Sequence, residues 1–144
     1  MLRSFLVFVL LSSTPVVMAS SAADIERGRY LVRISGCNDC HTPGYPQRHG
    51  DVPEAQWLTG DRLGWSGPWG TTYGTNLRLS MLAMDEEGWV RAARTVEWRP
   101  PMPWFNLRHM SEEDLRAIYR FVASLGPAAG RPGQEPPPPF ARFP

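Results

Sequence analysis

The sequence predicts a small all-α domain with long loops between its helices and a proline-rich C-terminal tail. In three segments a capping residue is followed by apolar residues at helical spacing: 25–35 after Asp24, 86–95 after Asp85 and 112–125 after Ser111. Residues 42–80 are instead rich in glycine, proline and tryptophan, which indicates turns. Structureless loops this long are uncommon in compact domains, so we expect this one to wrap a bound group that supplies part of the core.

Gly28 lies inside the first predicted helix, where glycine costs about 1 kcal/mol relative to alanine. We therefore expect another backbone or an aromatic ring to pack close to it.

The chain divides into an export signal (1–23), a folded domain (24–125) and a tail (126–144). A basic start, an apolar run from 5 to 11 and small residues up to Ala23 are typical of a secretory signal peptide, cleaved after Ala19 or after Ala23. The apolar run is too short to span a bilayer comfortably, so we expect no membrane span in the mature chain and a periplasmic location. The tail, with four consecutive prolines at 136–139, is expected to be extended or polyproline-like.

Charge argues against one class of partner. The 15 basic residues are all arginine and face 14 acidic ones, so the mature chain, without Arg3, is near neutral. A balanced charge without a basic block argues against nucleic acid. A docking face built from lysines is excluded because the chain contains none.

The most informative motif is Cys37-Asn38-Asp39-Cys40-His41, the C-x-x-C-H spacing at which c-type haem is attached. Two thiols three positions apart face the same side of a helical turn, where they can add across the two vinyl groups of one haem. His41 follows directly, so its imidazole is held under the iron as the proximal ligand. We interpret Asn38 and Asp39 as spacers with no required role. The motif predicts one covalent haem c.

Two other uses of a C-x-x-C pair fit the chain poorly. A structural zinc site takes four ligands, and Cys37 and Cys40 are the only cysteines. A thioredoxin-like redox motif needs a surrounding βαβ pattern, which the sequence lacks.

Several residues are candidates for the second axial position of the iron: Met81, Met84, Met102, Met110, His49 and His109. We favour Met102, because Pro100, Pro101 and Pro103 predict a stiff, extended loop that holds a thioether at a fixed point. The remaining methionines are interpreted as packing residues and His49 as solvated, while His109 stays the alternative ligand. We expect Trp57, Trp65 and Trp69 to cover the bound group, with an indole N–H able to reach a propionate.

Six segments together resemble class I, monohaem bacterial cytochromes c, and most of all the haem domains of cytochrome subunits that serve periplasmic alcohol and sugar-acid dehydrogenases. They are 28–31, 36–44, 72–77, 85–94, 101–104 and 114–122. The resemblance implies that the first and last helices cross, with Gly28 near Phe121. It also implies that Met102 is the distal ligand and that the Asn76 loop lies near a haem propionate.

The chain departs from that family in two ways. The family's usual Asn-Ile-Thr-Pro stretch is here Asn76-Leu77-Arg78-Leu79, and we expect Arg78 to contact a propionate. The relatives often carry three haem domains and a membrane tether, whereas this chain has one C-x-x-C-H motif. A dehydrogenase partner therefore does not carry over from the resemblance alone.

With both axial positions filled, the sequence predicts a one-electron carrier between redox partner proteins, not an enzyme. One alternative is a haem-based gas sensor or small haem catalyst with a displaceable distal ligand. Another is an electron-transfer subunit docked to a membrane or to a larger dehydrogenase or oxidase complex.

Overall fold

A computed structural model describes residues 22–128, and helices dominate it. In chain order the elements are α1 (Ala22–Ile34), α2 (Cys37–His41), β1 (Gly64–Gly67), β2 (Gly70–Tyr73), α3 (Leu77–Ser80), α4 (Glu86–Thr95), α5 (Trp104–His109) and α6 (Glu112–Ser124). Two 3-10 turns, Pro46–Arg48 and Glu54–Gln56, interrupt the loop after α2. The export signal and most of the proline-rich tail lie outside the described residues.

The all-α prediction needs one correction, because residues 64–73 form an antiparallel β-hairpin. Gly64 pairs with Tyr73 and Gly67 with Gly70, around a two-residue loop of Pro68 and Trp69. The hairpin is the one sheet in the described part of the chain.

Helices α1 and α6 pack at Gly28, as expected from the sequence. A Cβ added there would lie 2.0 Å from the carbonyl oxygen of Ala117 and 2.6 Å from Cβ of Phe121. Phe121 is fully buried and its ring lies edge-on to Trp57, with 6.2 Å between ring centroids. The expected proximity of Gly28 and Phe121 is therefore confirmed.

Capping was predicted correctly at two helices and wrongly at a third. Asp85 accepts a hydrogen bond from Gly88 N at 2.7 Å, and the Ser111 hydroxyl accepts one from Asp114 N at 3.1 Å. The first helix, however, already begins at Ala22, so Asp24 lies in its first turn and does not cap it. Asp24 instead accepts a hydrogen bond from Arg120 of α6 at 2.7 Å.

An ion-pair network ties α4 to α6 and α1. Glu86 accepts hydrogen bonds from Arg116 at 3.0 Å and from Arg120 at 2.9 Å. Burial of Glu86 raises its pKa, but the two guanidinium groups outweigh that effect and hold the pKa below its ordinary value.

Among residues 22–128, no helix is both long and apolar enough to cross a membrane.

Candidate functional site

The two cysteines lie on the single turn of α2, as the motif predicts. Gly36 precedes the turn with a φ of 71°, a left-handed conformation that glycine adopts without strain. Both thiols are free and half-buried. Burial raises the pKa of Cys37 to about 12, and burial together with Asp39 and Asp61 raises the pKa of Cys40.

His41 ends the same turn and is oriented by a second part of the chain. Its side chain is buried, and Nδ1 lies 2.7 Å from the carbonyl oxygen of Thr75. A carbonyl only accepts, so Nδ1 carries the proton and Nε2 is left with its lone pair. Burial lowers the pKa of His41, which favours the neutral ring. A neutral imidazole whose other nitrogen binds a carbonyl is the usual form of a metal-ligating histidine.

Two loops close around the end of α2 and hold it in place. Gly60 N donates to the carbonyl of His41 at 2.8 Å, and Asp61 N donates to the carbonyl of Gly74 at 3.0 Å. A Cβ added to Gly74 would lie 1.7 Å from the carbonyl oxygen of Cys40, so only glycine fits there. This contact places the next carbonyl, that of Thr75, beside the imidazole.

Asn38, interpreted from the sequence as a spacer, is fully buried. Its Oδ1 accepts a hydrogen bond from the Thr42 hydroxyl at 2.7 Å, and that hydroxyl accepts one from Leu58 N at 2.8 Å. Asn38 therefore links α2 to the loop that follows it. The spacing of Asn38 and Thr42, four residues apart, is a helical side-chain pair that could have revealed this.

Four buried side-chain donors in the described part of the chain lack a hydrogen-bond partner: Asn38 Nδ2, Trp65 Nε1, Asn76 Nδ2 and Arg108 Nε. Of these, Asn76 and Trp65 are the two that the sequence predicts to lie near a haem propionate. Asn76 is 2% exposed; its Oδ1 caps α3 by accepting from Leu79 N at 3.2 Å, while its Nδ2 has no partner. Trp65 Nε1 is likewise unpartnered. Trp57, by contrast, uses its indole N–H to bind the carbonyl of Val52 at 2.8 Å, so its role is packing.

Arg78 has a structural role that the sequence did not indicate. Nε donates to Gly126 O at 2.7 Å, Nη1 donates to Ala55 O at 2.9 Å, and Nη2 donates to Leu125 O. The side chain is thus engaged with three main-chain carbonyls at the end of α6 and in the loop after α2. Its predicted contact with a propionate stays a prediction.

Met102 lies in a turn rather than in the extended loop expected from its prolines. Met102 N donates to the carbonyl of Arg99 at 3.3 Å, and the Pro100–Pro101 peptide bond is cis. The residue is half-buried and packs against the hydrophobic core.

The other candidate ligands differ in burial. Met81 is 2% exposed and lies in the hydrophobic core, as expected of a packing residue, and Met110 also packs against the core. Met84 is 36% exposed, so its interpretation as a packing residue is wrong. His49 is exposed, as predicted, and His109 is exposed at the end of α5.

These residues fit a haem c. They supply two thiols on one turn, an imidazole with a free Nε2 and unpartnered buried donors for carboxylate groups. Met102 adds a thioether in a turn that packs against the same hydrophobic core.

Comparisons with known proteins agree with this chemistry. The chain is 31% identical to one of the subunits of the nicotinate dehydrogenase of Pseudomonas putida, over 90% of this chain and 11% of that protein. It is 27% identical to the cytochrome c subunits of the quinone alcohol dehydrogenases of Gluconacetobacter polyoxogenes and Komagataeibacter europaeus, over 90% of this chain and 28% of each of those proteins.

The chain thus spans about a tenth to somewhat over a quarter of the length of these curated relatives. No protein-family model matches it. No solved structure matches it either. The distant relatives support the resemblance to cytochrome subunits of dehydrogenases and an electron-transfer role.

Proposed function

We propose that this chain is an exported c-type cytochrome that carries single electrons between redox partners. The observation that carries the proposal is the buried His41, which follows two free thiols directly and whose Nδ1 is held by the Thr75 carbonyl. A bound haem c would supply one-electron chemistry between ferrous and ferric iron. The chain itself would attach the group, hold both axial ligands and limit access of water.

Cys37 and Cys40 would form the two thioether bonds and His41 would be the proximal ligand. We expect acid–acetone extraction of the mature protein to leave the haem with the polypeptide. Replacing both cysteines with alanine should make the haem extractable. Free extraction of haem from the unaltered protein would contradict the proposal.

Met102 would be the distal ligand, because its turn joins the core and a thioether favours ferrous iron. The oxidised protein should show the weak near-infrared charge-transfer band of methionine-ligated ferric haem. Met102→Ala should abolish the band and lower the reduction potential, whereas Met81→Ala and Met110→Ala, which remove packing methionines, should not. Loss of the band in His109→Ala alone would transfer the role to His109.

Asn76 and Trp65 would bind the propionates, because their buried N–H groups have no partner among the described residues. A buried donor left unpaired costs about 1–3 kcal/mol, so each is suited to a bound carboxylate. Arg78 would contribute indirectly by holding the end of α6.

An iron with two protein ligands favours a carrier over a gas sensor or a catalyst. With Met102 as the sixth ligand, carbon monoxide would first have to displace it, whereas electron transfer would need no ligand change. The ferrous protein should therefore keep its spectrum under carbon monoxide at neutral pH, and Met102→Ala should bind the gas readily. Rapid, tight binding by the unaltered protein would favour the sensor.

The relatives favour a more specific version, in which this chain passes electrons for a dehydrogenase in the periplasm. One relative is named as a subunit of a nicotinate dehydrogenase, and two are named as cytochrome c subunits of quinone alcohol dehydrogenases. Rapid reduction of the purified oxidised protein by a quinone-dependent dehydrogenase and its substrate would support this version. A carrier for another donor would be reduced no faster than in the absence of the enzyme.

A further inference from the structure

The closed end of the β-hairpin is bonded to the turn that carries Met102. Arg99 Nη2 donates to the carbonyl of Trp69, in the hairpin loop, at 2.6 Å. The Thr72 hydroxyl, on β2, donates to the carbonyl of Pro100. The hairpin thus binds the first two residues of the Arg99–Met102 turn.

Two further contacts lie within the hairpin itself. Ser66 and Thr71, a directly paired couple across its strands, hydrogen-bond through their hydroxyls at 2.9 Å. A Cβ added to Gly67 would lie 2.3 Å from the Trp69 ring, so the ring folds back over the end of β1. The carbonyl of the same residue, Trp69, is the one that accepts the hydrogen bond from Arg99.

The bond from Thr72 is directed at the turn rather than at the hairpin. Its hydroxyl also lies 3.4 Å from the carbonyl of Trp65. A hydroxyl has a single proton, and the carbonyl of Pro100 is the closer acceptor.

The turn has few donors of its own. Pro100 and Pro101 have no N–H, and Met102 N is already used to close the turn on Arg99. The side-chain hydrogen bonds that join the turn to the hairpin therefore come from Thr72 and from Arg99, while Met102 also packs against the core and its carbonyl accepts a hydrogen bond from Trp104 N at 2.9 Å. In both of the side-chain hydrogen bonds the partner of the turn is a hairpin residue, Thr72 in one and Trp69 in the other.

We propose that the hairpin is a clamp on the Met102 turn, and that Thr72 and Arg99 are positioning residues that control how readily Met102 leaves the iron. The inference rests on the proposed function, in which Met102 is the sixth ligand. When the thioether leaves, the turn shifts relative to the hairpin and these hydrogen bonds weaken. Removing either bond therefore favours the displaced state.

The test uses the haem-loaded protein and exogenous imidazole, which competes with Met102 in the oxidised state. The near-infrared band reports the fraction of protein that retains the methionine ligand. Thr72→Val removes one hydroxyl, and Thr71→Val removes the neighbouring one, which is bonded only within the hairpin. Arg99→Leu is compared in the same way with Arg62→Leu, at an exposed position in the loop before β1.

We expect Thr72→Val and Arg99→Leu each to tighten imidazole binding by about two- to tenfold, the effect of one net hydrogen bond. The rate of carbon monoxide binding to the ferrous protein should rise in parallel. Thr71→Val and Arg62→Leu should match the unaltered protein. Equal affinities for Thr72→Val and Thr71→Val, with the band present in both, would overturn the clamp alone. An unaltered protein without the band would overturn the methionine assignment and the clamp together.

Discussion

Substituting Gly28 with alanine tests the packing of α1 on α6 most directly. The added Cβ would lie 2.0 Å from the carbonyl oxygen of Ala117, and Cβ atoms essentially never approach other heavy atoms within 3.0 Å. The two helices must therefore separate by at least about 1 Å at this point, since a backbone atom cannot rotate away. A radial gap of 0.5–1 Å already forfeits about a quarter to a half of a dispersion contact.

The expected cost follows from two opposing effects. Overpacking of a core costs about 1–3 kcal/mol, and a backbone obstacle places Gly28→Ala at the upper end. Alanine recovers about 1 kcal/mol of helix propensity relative to glycine. We therefore expect the free energy of unfolding to fall by about 2 kcal/mol, measured by urea denaturation of the haem-loaded protein with far-UV circular dichroism.

Gly88→Ala, in α4, is the matched control. There the added Cβ would lie 2.9 Å from Oδ1 of Asp85, an exposed side chain that can rotate away, and 3.3 Å from Cβ of Met84, a contact that a shift of a few tenths of an ångström relieves. Disturbing the Asp85 cap should lower the free energy of unfolding by about 1 kcal/mol. Replacing glycine with alanine in the helix should raise it by about the same amount, so the two effects offset each other. A Gly28→Ala protein as stable as Gly88→Ala would refute the argument that the two backbones are in contact at Gly28.

Three further substitutions test other contacts. Arg78→Leu should lower the free energy of unfolding by about 2–4 kcal/mol in urea, because it leaves three main-chain carbonyls without their charged donor, whereas Arg62→Leu should leave it unchanged. Glu86→Gln should cost about 1 kcal/mol at pH 7. The pKa of Glu86 is lowered on folding, so this difference should narrow below pH 4.5 and vanish below the lowered pKa, and a difference that grows in acid would contradict the network. Gly74→Ala should lower the yield of covalently attached haem, scored by haem staining after denaturing electrophoresis, because its Cβ would lie 1.7 Å from the Cys40 carbonyl.

Features determined by neighbouring residues could be predicted from the sequence. The caps at Asp85 and Ser111 use donors three residues further along, and the thiols and His41 lie on one turn. The stop of the last helix before Gly126 was predicted for the same reason, since glycine there adopts a φ of 69°.

Features that depend on distant partners could not be predicted. Arg78 binds carbonyls 47 and 48 residues further along the chain, and no local pattern indicates such contacts. The sequence indicates the hairpin only weakly, because the β-branched Thr71 and Thr72 lie among glycines and a proline, which are typical of turns. The orientation of His41 by Thr75, 34 residues away, is also a product of the fold.

The two sides of the proposed haem site are therefore held by different contacts. On the proximal side, α2 carries both thiols and the imidazole, and the Gly74–Asn76 loop orients them. On the distal side, Met102 lies in a turn that is hydrogen-bonded to the hairpin through Arg99 and Pro100, and to Trp104 N of α5 through the carbonyl of Met102. Covalent attachment and methionine ligation should consequently fail independently, because changes at Gly74 act on the first and changes at Thr72 or Arg99 act on the second. We therefore expect that the strength of the proposed distal bond can be altered without loss of the haem.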